Sequence, residues 1–252
     1  MSELFEVEHD GTITTVRFQP ADRLLPTKLR DRDEVLRALR NARRTSQKVL
    51  IFEFPEDGLG PNAMEKLAED GVARFAEKLS WQKEEDLPLL LRVRFFFEEV
   101  IQFAHAARTV SVASFDGAVD FDLLGLLLAC DYRICSEKTT LVNRVLDRRM
   151  SPGNALVWYL TRSVGDSRAM GLLLEGRPVP ASEALELGLV NRVVPAMDLA
   201  HEARTMANRL AAAPADAIHT LLNARAAANA DLKRYLKDFG VGFKRLPGRE
   251  AP

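Results

Sequence analysis

The sequence predicts an α/β fold built around a parallel sheet. The apolar runs Val49–Phe52 and Thr109–Phe115 have the character of strands that are buried on both faces. Amphipathic stretches precede both runs, over Asp31–Arg44 and Phe95–Ala107, so helix and strand alternate along the chain. Successive units of this kind are expected to join into one sheet through right-handed crossovers.

The other strand regions have local signals of their own. A β-hairpin is predicted over Leu4–Phe18, because β-forming residues flank the turn-forming pair Asp10-Gly11. A further helix and strand are predicted after Gly117, over Leu123–Ala129 and Asp131–Cys135. These elements extend the alternation that predicts the fold class.

The second half of the chain is predicted to be almost wholly helical. Its first helix is expected to begin at Ser151-Pro152-Gly153, with Ser151 as N-cap and Pro152 at the first helical position. Trp158 and Tyr159, which follow this turn, are interpreted as core or subunit contacts. The stretch Pro55–Leu90 has a weaker pattern and is predicted to be a partly helical cover.

Composition excludes several classes of function. The chain has 252 residues, with 35 Lys plus Arg against 36 Asp plus Glu, so its net charge of −1 disfavours nucleic-acid binding. Its two cysteines, Cys130 and Cys135, have no ligand cluster for a metal and are interpreted as reduced, packed thiols. The sequence lacks a signal peptide or an apolar run of about 18 residues, so we expect a cytoplasmic protein with no membrane contact.

Two segments carry a resemblance to a known family. Arg168–Pro195, which includes the run Glu-Ala-Leu-Glu-Leu-Gly-Leu-Val, closely resembles the enoyl-CoA hydratase/isomerase (crotonase) family. Gly117–Asp131, which ends in Ala-Cys-Asp, is similar to the family's strand, glycine-rich turn and helix. The resemblance extends from the N-terminal hairpin to about Ala212 and is faint between Pro55 and Leu90.

The resemblance implies an architecture and a class of substrate. It implies a crotonase-like spiral of ββα turns over residues 1–195 and a C-terminal helical section over residues 196–252 that associates into a homo-trimer or hexamer. It implies an acyl-CoA thioester as substrate, with no resident cofactor and no metal.

The resemblance also locates the catalytic groups, and here the sequence departs from the family. The family stabilises a thioester oxyanion with two backbone N–H groups, one of them in a Gly-Gly-Gly run at a helix N-terminus. That run falls on Phe121-Asp122-Leu123, which assigns this N–H group to Asp122. The two glutamates of hydratases fall on Gly125 and Val145, neither of which can transfer a proton.

The other N–H group of the oxyanion hole belongs, by resemblance, to the loop after the strand Val49–Phe52. Gly60 and Asn62 are the candidates there, whereas Pro61 has no N–H to donate. An ordinary loop is the alternative interpretation of this region.

Three aspartates and two arginines have two interpretations each. Asp120 and Asp122 are either helix-capping residues, or one of them is a replacement acid or base. Asp147 is either part of a structural ion pair or a base, and Arg144 and Arg148 are either its partners or ligands of a carboxylate or phosphate. The expected function is therefore acyl-CoA chemistry other than standard hydration, and the alternative is a catalytically inactive scaffold or regulatory protein.

Overall fold

The computed structural model describes residues 5–18, 47–61, 109–146 and 152–239, and the single positions 33, 36, 37, 40, 41, 100 and 101. The helices predicted over Asp31–Arg44 and Phe95–Ala107 lie mostly outside the described residues. The predicted cover Pro55–Leu90 lies outside them from residue 62 onward. So do the candidate site residues Asn62, Asp147 and Arg148, together with the predicted N-cap Ser151.

Two sheets are formed by the described strands. The larger sheet has the order β1-β2-β3-β4-β6-β9, and all its neighbouring pairs are parallel except the β1-β2 hairpin. The smaller sheet has the order β5-β7-β8. The strands are β1 (Phe5–Asp10), β2 (Ile13–Phe18), β3 (Val49–Glu53), β4 (Val110–Phe115), β5 (Ala118–Asp120), β6 (Tyr132–Ser136), β7 (Thr140–Val142), β8 (Val179–Pro180) and β9 (Arg192–Val194).

Helices cover both faces of the larger sheet. They are α1 (Phe121–Leu128), α2 (Leu156–Val164), α3 (Asp166–Glu175), α4 (Ala181–Glu186), α5 (Leu199–Ala211), α6 (Ala215–Ala228) and α7 (Leu232–Phe239). A short 3₁₀ turn over Ala196–Asp198 precedes α5. None of the helices in the described part of the chain is long and apolar enough to cross a bilayer.

The side chains of β3 alternate between two buried cores, one on each face of the sheet. Val49 and Ile51 pack with Ala203 of α5 on one face. Leu50 and Phe52 point to the opposite face and belong to the core cluster that contains α1 and α2. The prediction of a doubly covered parallel sheet, and with it the α/β fold class, is confirmed.

The predicted boundaries are right for some elements and wrong for others. The hairpin is confirmed, with Asp10 paired to Ile13 across a turn in which Gly11 has φ 56°. The helix predicted over Leu123–Ala129 begins two residues earlier, at Phe121, because Asp120 caps it. Trp158 and Tyr159 are buried, as the interpretation as core residues requires.

The predicted start of the first helix after Pro152 is wrong. Helix α2 begins at Leu156, and Pro152 lies in the irregular segment before it. Asn154 and Ala155 have φ values of 53° and 54°, in the left-handed region. A right-handed helix cannot run through residues in that conformation, so it starts after them.

An anchoring network fastens α6 to the core at the end of α1 away from Asp120. The carboxylate of Asp131 accepts hydrogen bonds from the backbone N–H and the hydroxyl of Ser111, both at 2.8 Å. The Arg225 guanidinium of α6 donates to the other oxygen of the same carboxylate. This network ties a C-terminal helix with one buried residue, Leu222, to Asp131 in the connection between α1 and β6 and, through Asp131, to Ser111 of β4.

Removal of the Asp131 carboxylate is expected to destabilise the fold. Asp131→Ala leaves the Ser111 groups and the Arg225 charge without this acceptor, and we expect a loss of roughly 2–4 kcal/mol in urea unfolding. The control is Glu8→Ala, which removes a half-exposed ion pair with Arg17 and should cost less than about 1 kcal/mol. Equal losses for the two variants would contradict the assignment of Asp131 as an anchor.

Both cysteines are buried thiols in the folded chain. Burial raises the pKa of Cys130 to about 12 and that of Cys135 to about 11. Because the thiolate is the reactive form, neither cysteine should react with a disulfide reagent at pH 8 while the chain is folded. Both should react once urea unfolds it, and fast modification of the native protein would contradict their burial.

Candidate active site

The candidate site lies where β5 runs into α1. Asp120, the last residue of β5, is the N-cap of α1 and is fully buried. Its Oδ1 accepts a hydrogen bond of 2.9 Å from the backbone N–H of Asp122. The interpretation of Asp120 as a helix cap is therefore confirmed, and the cap places a carboxylate at the positive end of the helix dipole.

The same contact determines whether the Asp122 N–H, which the resemblance assigns to the oxyanion hole, is available to a substrate oxygen. The backbone N–H of Asp122 already donates to the Asp120 carboxylate, so a carboxylate oxygen occupies the place of a second acceptor. A thioester oxygen would have to replace that oxygen before it could accept from Asp122.

The Asp122 side chain faces the segment that precedes α2. Asp122 is 5% exposed, and its Oδ1 lies 3.4 Å from the backbone nitrogen of Gly153, which donates to it. The side-chain amide of Asn154 donates to the Asp122 backbone carbonyl. Residues 152–155, which we call the α2 leader, therefore contact Asp122 at both its carboxylate and its backbone.

Gly125 lies one turn further along α1, at the position that the resemblance gives to a hydratase glutamate. A Cβ atom at Gly125 would be 2.9 Å from the carbonyl carbon of Asn154 and closer still to its oxygen. It would also be 3.1 Å from the backbone nitrogen of Leu156. The backbone of the α2 leader fills the space that a side chain at residue 125 would need.

Val145, at the position that the resemblance gives to the other hydratase glutamate, is buried. It is 4% exposed, and its N–H donates to Oδ1 of Asn143 at 3.1 Å. The Asn143 amide group in turn donates to the carbonyls of Leu172 and Leu173 in α3. Neither Gly125 nor Val145 can hold a water molecule for addition to a double bond.

The loop after β3 meets β5 just before the N-terminus of α1. The carbonyl of Leu59 accepts from the N–H of Asp120 at 2.8 Å, and Leu59 forms a parallel bridge with Val119. The two segments that the resemblance assigns to the oxyanion hole are thus brought together. The N–H of Gly60, however, donates to the carbonyl of Asp57 at 2.9 Å, so it closes a turn within its own loop.

Asp57 joins this loop to the start of β5. It has a φ of 54°, and its carboxylate accepts from the N–H of Ala118 at 2.7 Å. Gly117 leaves room for this contact, because a Cβ atom there would lie 2.8 Å from the Asp57 nitrogen. Sequence reasoning missed Asp57, although the pair Asp57-Gly58 is a turn signal that could have indicated it.

The remaining candidates are placed only in part. Arg144 is exposed on the segment between β7 and Val145, whereas Asp147 and Arg148 lie outside the described residues. Among the residues that the structure describes, no cluster of three or more His, Cys, Asp or Glu side chains could hold a metal ion.

Comparison with known proteins identifies the family. The family model described as enoyl-CoA hydratase/isomerase matches residues 94–238, which is more than half of the chain. The chain belongs to the enoyl-CoA hydratase/isomerase family. The match includes α1, the α2 leader and the helices that follow it up to residue 238, so the part of the site around Asp120 and Asp122 lies within the matched residues of this crotonase-superfamily member. The loop after β3 precedes them.

Relatives and solved structures agree with this membership. The chain is 33% identical to 4-chlorobenzoyl coenzyme A dehalogenase-1 of an Arthrobacter species over 119 residues, which are 47% of the chain and 43% of the dehalogenase. The match therefore spans less than half of that relative. A probable enoyl-CoA hydratase of Rhodobacter capsulatus is 28% identical over 203 residues, or 81% of the chain and 77% of the hydratase.

Solved crotonase-superfamily structures share the fold of this chain. An enoyl-CoA hydratase from Bacillus halodurans superimposes with a TM-score of 0.75 at 19% identity, covering 96% of this chain and 94% of the hydratase. An enoyl-CoA hydratase/isomerase from Pseudoalteromonas atlantica T6c gives a TM-score of 0.77 at 18% identity, covering 98% and 92%. The predicted crotonase fold is confirmed.

A side chain at residue 125 is expected to destabilise the chain. Gly125→Ala pushes a methyl group against the Asn154 carbonyl, and we expect a loss of about 1–3 kcal/mol in urea unfolding. The matched control is Gly171→Ala in α3, where the nearest atom to the new carbon would be 3.8 Å away. That variant should be neutral or up to about 1 kcal/mol more stable, since alanine is the better helix former. A tolerated Gly125→Ala would show that the close approach is wrong.

Proposed function

We propose that this family member binds a CoA thioester with the thioester carbonyl near the N-terminus of α1, and acts on it by a reaction other than hydration. The relatives support the substrate class, because the names of the Arthrobacter dehalogenase and the Rhodobacter hydratase both specify acyl-CoA substrates. Their reactions differ, which leaves the reaction of this chain to its own residues.

The observation that carries the proposal is the buried Asp122 carboxylate beside the α2 leader. The positions that the resemblance gives to the hydratase glutamates are Gly125 and Val145, which have no carboxylate. Among the described residues, the Asp122 carboxylate lies at the N-terminus of α1. A carboxyl group there can remove a proton from a thioester, or return one to it, when it lies within hydrogen-bond reach. The chemistry that fits is proton transfer, as in isomerisation, hydrolysis or decarboxylation of the thioester.

Charge restricts what Asp122 can do. An ionised carboxylate about 4 Å from a developing oxyanion costs on the order of 4 kcal/mol at an effective dielectric of ~20. That cost opposes a free enolate next to Asp122, and it favours a step in which the carboxyl group donates its proton as the negative charge develops. Asp147 is the second candidate for a base, and Arg144 and Arg148 are candidates for binding substrate phosphates or carboxylates.

A catalytically inactive scaffold is the second candidate function, and one contact favours it. The Asp120 carboxylate occupies the N–H of Asp122, and the N–H of Gly60 closes a turn, so both described oxyanion groups already have acceptors within the chain. Such a protein would act through association, and the trimer or hexamer that the resemblance implies would then be its functional form.

Titration calorimetry with CoA, acetyl-CoA and crotonyl-CoA tests the proposal directly. Binding at micromolar strength, about −8 kcal/mol, would support an acyl-CoA site, and turnover of a thioester without hydration of crotonyl-CoA would support the proposed chemistry. Hydration of crotonyl-CoA at an enzymatic rate would contradict it. No binding of any CoA species would favour the scaffold.

The role of Asp122 is tested by Asp122→Asn. The amide keeps the size of the side chain and loses the transferable proton, so we expect turnover of any active thioester to fall by roughly 10²–10⁴-fold with little change in CoA affinity. Glu186→Gln, at an exposed residue at the end of α4, is the control. Unchanged turnover in Asp122→Asn would remove Asp122 from the mechanism.

Removal of the Asp120 carboxylate should strengthen thioester binding. Asp120→Ala loses the cap, at a cost of about 1 kcal/mol in unfolding free energy, and releases the N–H of Asp122. We expect crotonyl-CoA to bind more tightly to this variant than to the wild type. CoA, which has no thioester carbonyl, should bind the variant and the wild type with equal affinity. Weaker crotonyl-CoA binding would show that Asp120 helps the substrate instead of competing with it.

A further inference from the structure

We infer that Asn154 is a positioning residue that sets the direction of the Asp122 carboxylate, an inference that rests on the proposed function. Asn154 is 8% exposed, and its side-chain amide donates to the Asp122 carbonyl oxygen. Its neighbour Gly153 donates from its backbone to Oδ1 of Asp122. One turn of chain thus holds Asp122 at two separate atoms.

The backbone of the α2 leader is in a conformation that needs support. Asn154 and Ala155 both have positive φ. Asparagine adopts this region at small cost, whereas alanine loses roughly 1 kcal/mol or more there. The contacts that the α2 leader makes with α1 must offset this cost, and the Asn154 amide supplies one of them.

Gly125 supplies the other support for the α2 leader. Because residue 125 has no side chain, the Asn154 carbonyl can lie directly against the backbone of α1. The Leu156 N–H also donates to the Gly153 carbonyl at 2.9 Å, which closes the turn at the start of α2. Asn154 is therefore fixed through its backbone at Gly125 and through its side chain at Asp122.

The contacts of the α2 leader hold the Asp122 carboxylate in one direction. The Asp122 N–H is directed to Asp120, and the carboxylate is directed to Gly153. If the Asn154 amide is lost, the α2 leader is no longer tied to the Asp122 carbonyl, and the Gly153 N–H is no longer held opposite the carboxylate. The carboxylate then loses the Gly153 donor, and its direction toward a bound thioester is expected to change.

The test uses Asn154→Gly, which keeps a residue suited to positive φ and removes the side-chain amide. Its readout is the ¹³C resonance of the Asp122 carboxyl group in aspartate-labelled protein, assigned through its disappearance in Asp122→Asn. Asn143→Ala is the matched control, because it removes another buried asparagine amide, one that bonds the α3 carbonyls.

Both variants should lower stability, but only Asn154→Gly should move the Asp122 resonance. An unmoved resonance in Asn154→Gly, or an equal movement in Asn143→Ala, would overturn the inference. This readout needs no ligand, so it stands apart from the proposed function.

A double-mutant cycle, measured by CoA and crotonyl-CoA binding, separates the two proposals. Asn154→Gly should reduce the preference for crotonyl-CoA over CoA by about tenfold in the wild-type background, and by less than about twofold when Asp122→Ala is already present. Equal reductions in both backgrounds would mean that Asn154 does not act through Asp122. If the wild type binds no CoA species, the proposed function fails, while the resonance test still decides whether Asn154 positions Asp122.

Discussion

The close approach of the α2 leader to Gly125 is the constraint on which the candidate site depends. It requires a residue without a side chain in α1, it orients Asn154 toward Asp122, and it delays the start of α2 until Leu156. The same contact excludes a glutamate at residue 125. The absence of a side chain at residue 125 and the contacts of the α2 leader with Asp122 are therefore two aspects of one packing arrangement.

Charge at the N-terminus of α1 follows from the same arrangement. A helix N-terminus stabilises negative charge, and in this chain that stabilisation acts on the chain's own carboxylates, Asp120 by capping and Asp122 in the first turn. An oxyanion at this helix N-terminus would compete with the Asp120 carboxylate for the N–H group of Asp122. This competition is the physical difference between this site and the glycine run that the family resemblance implies.

The fold was accessible from the sequence because its signals are local. Continuous apolar runs predicted β3 and β4, and Asp10-Gly11 predicted the hairpin. The short strands β7 and β9 were missed because three residues of strand carry too little periodicity, and each depends on a partner that is distant in sequence. The error at Pro152 has a similar origin, since Asn154 and Ala155 take positive φ through contacts with α1 that no local pattern contains.

The site was only partly predictable for the same reason. Asp120 and Asp122 were found because a family resemblance aligned them with a known position, and the capping role of Asp120 followed from its residue type. Asn154 and Asp57 were not found, because each acts through a backbone group of another segment. Their importance depends on neighbours without side chains, Gly125 and Gly117, which allow the close approach. In this chain Gly125 allows a backbone contact with the α2 leader that its residue type alone does not predict.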